Sequence, residues 1–63
     1  MALTERERKI LRLYADGFSD YRIAKKLKME TPNVTRSRKK AFKKIEYAKA
    51  DLEYVNNLKF THQ

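Results

Sequence analysis

The chain contains one glycine, Gly17, and one proline, Pro32, among its 63 residues. These two residue types are the strongest local breakers of helices, so their scarcity limits the chain to a few helices joined by short turns. Neither type occurs after Pro32. The pattern therefore predicts an unbroken third helix from Pro32 to about Leu58, which would be roughly 40 Å long at 1.5 Å per residue.

The first helix has a start signal and a stop signal. Thr4 and Glu7 have the spacing of a capping box, in which each side chain accepts a bond from the other residue's amide. Gly17 follows the last apolar position, where a left-handed cap is favoured. These signals predict a helix from Glu5 to Asp16. Its apolar side chains recur at helical spacing: Ile10, Leu11, Leu13, Tyr14 and Phe18.

A second, shorter helix is predicted over Asp20–Leu27. Ser19 is a favourable N-cap residue, and Ile23, Ala24 and Leu27 form the apolar stripe. The next three residues form a turn in which Met29 is expected to reach the core. Thr31 is expected to cap the third helix, with Pro32 at its first position, where proline loses no hydrogen bond.

Two short helices, a tight turn and a second helix that opens with polar residues form the helix-turn-helix pattern. The sequence thus predicts an all-α, helix-turn-helix fold of three to four helices with a long recognition helix extended at its C-terminal end. We expect a single domain over residues 1–63, with a core motif at 3–45 and a helical extension at 46–60.

Positive charge is concentrated in the middle of the sequence. Residues 1–20 are neutral, residues 21–50 carry a net charge of +9, and residues 51–63 carry −1. A basic region of this kind is typical of proteins that bind a polyanion. A solvated, lysine-rich surface is the alternative interpretation of the charge.

The third helix would present a polar face if Val34 faces the core. Asn33 could then bond adenine, and Arg36 could bond guanine, in a major groove that admits one helix. Lysines farther along could contact phosphates, which position a protein without specifying sequence. Tyr21 could contact a phosphate or pack against the third helix. The predicted DNA-binding residues are Tyr21, Arg22, Thr31, Asn33, Thr35, Arg36, Lys39, Lys40 and Lys43.

Arg38 lies close to the buried face on the same helical wheel. A half-buried arginine without a partner would be costly. We expect its stem to pack against the core and its guanidinium to form a structural ion pair with Glu7.

An apolar row continues beyond Lys44. Ala48 and Val55 are seven residues apart, and Leu52 belongs to the companion row with Ile45. So small a body cannot cover all of these side chains, and exposed stripes usually mark interfaces. Ala48, Leu52 and Val55 are therefore predicted to form a homodimer contact, unless the helix folds back and buries them.

Several classes of function are disfavoured. The sequence has no cysteine, and His62 is its only histidine, which argues against a metal site. No nucleophile, carboxylate or glycine-rich arrangement indicates an enzyme or a cofactor. No segment approaches the roughly 20 apolar residues of a membrane span, and no signal peptide opens the chain. We expect a cytoplasmic, nucleoid-associated protein.

A set of motifs follows without a gap over residues 3–45: Leu3-Thr4-Glu5-Arg6-Glu7-Arg8, Ile10-Leu11, Leu13, Ala15, Gly17-Phe18-Ser19, Ile23-Ala24, Leu27, Val34 and Arg38. These motifs resemble those of LuxR/FixJ-type DNA-binding domains and are similar to the last DNA-binding region of sigma factors. Through Asn33-Val34-Thr35 and the long continuation of the third helix, the sequence also resembles archaeal Tfx-type regulators. The resemblance implies transcriptional regulation through double-stranded DNA.

Two other functions remain open at this point. One is a nonspecific architectural protein that coats duplex DNA through Lys39, Lys40, Lys43, Lys44 and Lys49. The other is an adaptor that contacts RNA polymerase, which the sigma resemblance allows. Competition with random DNA would separate the first from a specific regulator, and a pull-down with and without DNA would test the second.

Overall fold

The computed structural model describes residues 2–61, with side chains described as far as residue 58. This part of the chain consists of three helices: α1 (Glu5–Ala15), α2 (Asp20–Leu27) and α3 (Thr31–Thr61). It contains no strand, which confirms the predicted all-α helix-turn-helix fold. His62 lies outside the described residues.

The caps of α1 form as predicted. The Thr4 hydroxyl accepts from the Glu7 amide at 3.1 Å, and the Glu7 carboxylate accepts from the Thr4 amide at 2.8 Å. α1 ends at Ala15, one residue earlier than predicted, and Gly17 then adopts a φ of +99°. A Cβ at Gly17 would touch nothing within 4 Å. Glycine is therefore favoured there by backbone conformation and not by space.

The turn between α2 and α3 contains a left-handed residue that is not a glycine. Ser19 caps α2 as predicted, accepting from the Arg22 amide at 3.3 Å. After Leu27, Lys28 adopts the left-handed conformation, with φ 55° and ψ 48°. The Met29 amide then donates to the Ala24 carbonyl at 2.8 Å, and Met29 packs against the core as expected.

The start of α3 differs from the prediction by one residue. The Glu30 carbonyl accepts from the Asn33 and Val34 amides at 3.0 and 3.1 Å, so Glu30 precedes the helix and Thr31 is its first residue. The prediction that Thr31 caps α3 with Pro32 at the first position is therefore wrong. Proline at the second position still loses no bond, because the first amides of a helix have no intrahelical partner.

Each helix contributes one large side chain to a small core. Ile10 of α1, Ile23 of α2 and Val34 of α3 are all 0% exposed. Ala24 joins them, and four partly buried side chains pack around this cluster: Leu13, Phe18, Leu27 and Met29. The three helices therefore meet at one apolar cluster, which includes Val34 in the first turn of α3.

α3 continues well beyond this core. The molecule measures 52 × 19 × 15 Å along its principal axes, and every side chain from residue 45 to residue 58 is exposed. We call residues 2–44 the body and residues 45–58 the tail. No described helix is long and apolar enough to span a membrane.

Candidate nucleic-acid interface

The first three turns of α3 separate apolar from polar side chains as predicted. Val34 and Ala41 are both 0% exposed, and they fix the side of the helix that faces the body. The polar residues on the other side are exposed: Asn33, Arg36, Lys39, Lys40 and Lys43. The side chains predicted to contact DNA therefore share one accessible face of α3.

An ion pair between α2 and α3 holds this face in place. The Arg38 Nε and Nη2 atoms donate to the two Asp20 carboxylate oxygens at 2.9 and 3.0 Å. The Thr35 hydroxyl donates to the same carboxylate at 2.8 Å. The hydrogen bond from Arg38 lowers the pKa of Asp20, and the bond to Asp20 raises the pKa of Arg38. Thr35 is predicted as a DNA contact, but its hydroxyl proton is already donated to Asp20.

A second ion pair lies where α3 leaves the body. The Lys44 Nζ donates to the Glu7 carboxylate at 2.8 Å and to the Ala2 carbonyl at 3.3 Å. Glu7 is almost fully buried, at 5% exposure. The bond from Lys44, followed by the bonds to Thr4, lowers the pKa of Glu7 to about 2.

The predicted ion pair between Glu7 and Arg38 is therefore wrong. Arg38 lies near the buried face as its wheel position indicated, but it pairs with Asp20, while Glu7 pairs with Lys44. A helical wheel gives the angle of a side chain around its own axis. It does not give the crossing of the helices, which brings α2 against Arg38 and the start of α1 against Lys44. Lys44 is also unavailable for coating DNA.

Aromatic side chains also pack against Arg38. Its guanidinium carbon lies 4.7 Å from the centroid of the Tyr14 ring. Tyr14 also packs edge-on against Phe42, with 5.8 Å between the ring centroids. Arginine suits this environment better than lysine, because its planar guanidinium can stack on an aromatic ring and form a bidentate hydrogen bond with a carboxylate. Arg38 thus connects all three helices.

The start of α2 offers two exposed side chains beside this assembly. Tyr21 is 57% exposed, and the Lys25 ammonium lies 4.7 Å from the centroid of its ring. Arg22 is exposed, with its guanidinium 5.3 Å from the Phe18 ring. More than half of the Tyr21 side chain is therefore open to solvent, beside the ammonium of Lys25.

Two open notches flank the beginning of α3, and Arg36 borders both. The first, of about 590 Å³, lies between α1, the turn and α3; we call it the basic notch, and it is lined by Arg6, Lys28, Met29, Glu30, Asn33, Arg36 and Ser37. The second, of about 500 Å³, lies on the other side of Arg36 and is lined by Thr31, Pro32, Thr35, Arg36 and Lys39. Of the other predicted site residues, Asn33 lines the first notch, and Thr31, Thr35 and Lys39 line the second.

Sequence reasoning missed Arg6, Lys28 and Ser37 at this surface. Arg6 belongs to α1, outside the helix-turn-helix pair, and only the helix packing places it beside Asn33. Lys28 lies in the turn, and nothing in its residue type predicts a left-handed backbone that would direct its side chain to this surface. Among the described residues, no group of three or more His, Cys, Asp or Glu residues could hold a metal ion.

Comparisons with known proteins agree with this architecture. Residues 1–51 match the family described as "Bacterial regulatory proteins, luxR family". The chain is also 37% identical over 57 residues to the DNA-binding protein Tfx of Methanothermobacter thermautotrophicus, and 37% identical over 57 residues to that of Methanothermobacter marburgensis. Each match covers 90% of this chain and 41% of the relative. No solved structure matches the chain.

The matched region contains the whole body, both ion pairs and the polar start of α3, whereas it reaches only the first half of the tail. The part of the chain that matches the family is thus the helix-turn-helix body together with the beginning of the tail. The chain belongs to the luxR family of bacterial regulatory proteins.

Proposed function

We propose that this chain binds double-stranded DNA as part of a transcriptional regulator, with the beginning of α3 in the major groove. The observation that carries the proposal is the burial of Val34 behind the exposed pair Asn33 and Arg36. A groove that admits one α-helix favours contact between base edges and the first residues of that helix.

Within this arrangement, the exposed residues take different roles. Asn33 presents an amide suited to adenine, and Arg36 a guanidinium suited to guanine. Lys39, Lys40 and Lys43 follow on the same exposed face, and in this proposal they contact phosphates at the edges of the groove. Tyr21 and Arg22, exposed on α2, supply phosphate contacts where that helix crosses the backbone.

The rigidity of the site supports sequence-specific binding. The Asp20–Arg38 pair and the Glu7–Lys44 pair fix α3 against α2 and α1 at two levels. The described residues leave no buried side-chain nitrogen or oxygen atom without a hydrogen bond. Base contacts need side chains held in a defined position, and a helix fixed at two points provides that support.

The tail supports a homodimer as the binding form. Leu52 is 62% exposed and Val55 46% exposed, and Ala48 is exposed beside them. These residues, with Ile45, alternate in steps of three and four, which is the spacing of helices that pair with a second copy. A two-fold dimer would present two α3 starts to two half-sites of a palindromic operator. The chain spans 41% of the Tfx relatives' length, so the dimer is proposed for this chain alone.

Selection of bound duplexes from a random pool would test the function directly. We expect enrichment of one motif, repeated with two-fold symmetry if the tail pairs, and binding that survives about a 10³-fold excess of random DNA. We also expect a log–log salt slope near −4 to −5 per half-site, which corresponds to about five neutralised phosphates.

The outcomes of this selection separate the candidates. Binding with a steep salt slope but no enriched motif would replace the regulator with a nonspecific DNA-coating protein. Absence of binding at low salt would overturn the proposal and leave contact with RNA polymerase as the function to test.

A further inference from the structure

Two residues of different type adopt the same left-handed backbone conformation at the ends of the first two helices. α1 ends in a left-handed residue that is glycine, Gly17, whereas α2 ends in a left-handed residue that is lysine, Lys28. A side chain disfavours this conformation, and lysine is not among the residue types that tolerate it best. A strained residue of this kind is a reason to ask what its side chain does.

The Lys28 side chain lines the basic notch. Arg6 approaches the notch from α1 and Arg36 from α3, and Glu30 is its one acidic lining residue. Asn33 and Ser37 complete the polar lining. Three cationic side chains from three separate segments thus converge beside the residues proposed to contact bases. Such convergence favours an anionic ligand over a solvated surface.

We propose that the basic notch binds a backbone phosphate of the duplex, with Arg6 of α1 and Lys28 of the turn between α2 and α3 as the phosphate contacts. This inference rests on the proposed function, because Asn33 and Arg36 at its edge would be in the groove. The phosphate would belong to the strand that passes on the α1 side of α3. The residues of α2 would hold the opposite strand, so that the start of α3 is clamped from both sides.

Substitution of Lys28 by glycine separates this role from a structural one. Glycine adopts the left-handed conformation without a penalty, so Lys28→Gly should unfold at the same temperature as the parent chain or at a higher one. If the lysine contacts a phosphate, the same variant should bind duplex DNA about five- to tenfold more weakly at 0.1 M salt. The slope of log affinity against log salt concentration should also be smaller in magnitude by about one. A purely structural lysine would not move stability and affinity in opposite directions.

Arg6→Ala should show the same loss of DNA affinity and the same decrease in the salt dependence of binding. Arg6→Lys should recover most of the affinity and of the salt dependence. Arg8→Ala and Arg12→Ala remove exposed arginines of α1 that do not line the basic notch. They are matched in charge and should change affinity less than twofold. Because phosphate contacts are independent of sequence, a random 30-base-pair duplex is a sufficient probe.

The outcomes distinguish the two proposals. If the parent chain fails to bind this duplex, the proposed function fails. If the parent binds with a steep salt slope but Arg6→Ala and Lys28→Gly behave like Arg8→Ala, the basic notch is not a phosphate site and the proposed function stands. Circular dichroism on each variant establishes that the fold is retained in every comparison.

Discussion

The core apolar side chains of the body are buried and the apolar side chains of the tail are exposed, although one continuous helix runs through both. In the body, Ile10, Ile23 and Val34 are 0% exposed. In the tail, Leu52 is 62% exposed and Tyr54 65% exposed. Among the residues whose side chains the structure describes, the buried side chains of α3 all lie in its first half. An isolated helix of the tail's length is marginal in water, so the tail depends on the body, or on a second copy, to remain helical.

The largest effect is expected from the core of the body. Ile23→Ala removes a fully buried side chain from the point where the three helices meet. Such substitutions cost about 2–5 kcal/mol, against a total of roughly 3–9 kcal/mol for a chain of this size. Urea denaturation followed by circular dichroism should show a midpoint shifted to much lower urea than in the parent chain, or no folded baseline if the parent lies at the low end of this range. A loss below about 1 kcal/mol would mean that this cluster is not the centre of stability.

Arg38→Ala should have the second-largest effect. It removes the two bonds to Asp20 and the stacking on Tyr14. Because the pair is partly exposed, at 18% for each side chain, we expect a loss of about 1–2 kcal/mol in the free energy of unfolding.

Arg12→Ala, at an exposed arginine of α1, is the control for Arg38→Ala. At equal folded fraction, Arg38→Ala should retain the base preference of the parent chain. A changed preference with unchanged stability would assign Arg38 to the DNA surface.

Acid should weaken the body through Glu7. Its pKa is lowered to about 2 in the folded chain, so its stabilising contribution is present above about pH 4.5 and is lost as the pH falls towards 2. Asp20 acts in the same direction, because its pKa is also lowered.

Thermal unfolding between pH 2 and 7 should therefore show a declining melting temperature below pH 4.5. Glu7→Gln should make that decline shallower while leaving the part due to Asp20. An identical decline in the variant would show that Glu7 contributes nothing to it.

The smallest effect on folding is expected in the tail. Leu52→Ala should change the free energy of unfolding of the monomer by less than about 0.5 kcal/mol, as surface substitutions usually do. If the tail pairs with a second copy, the melting temperature of the parent chain should rise with concentration, and Leu52→Ala should reduce that rise. Sedimentation at several concentrations provides the check. A large destabilisation at low concentration would mean that the tail folds back onto the body.

Much of the body could be predicted from sequence because its signals are local. The Thr4–Glu7 capping box, Gly17 and the Ser19 cap depend on residues within a few positions of one another. The orientation of α3 followed from helical period alone, which places Val34 inward and Asn33 outward.

The partners of Arg38 and Glu7 could not be predicted, because they depend on how the helices cross. The basic notch could not be predicted for the same reason, since Arg6 and Lys28 are far apart in sequence and come together only through packing. Nor does residue type indicate that Lys28 is left-handed. Local signals thus set the elements, and packing sets which charged groups meet.

The proposed mode of binding requires that the leading residues of α3 contact bases while those farther along contact only phosphates. A competition assay over single-base variants of the selected duplex tests it, comparing Asn33→Ala with Lys43→Ala. We predict that Asn33→Ala abolishes discrimination at one position, worth about 1–3 kcal/mol, whereas Lys43→Ala weakens binding to every duplex by the same factor. Equal, sequence-independent losses in both variants would contradict the claim.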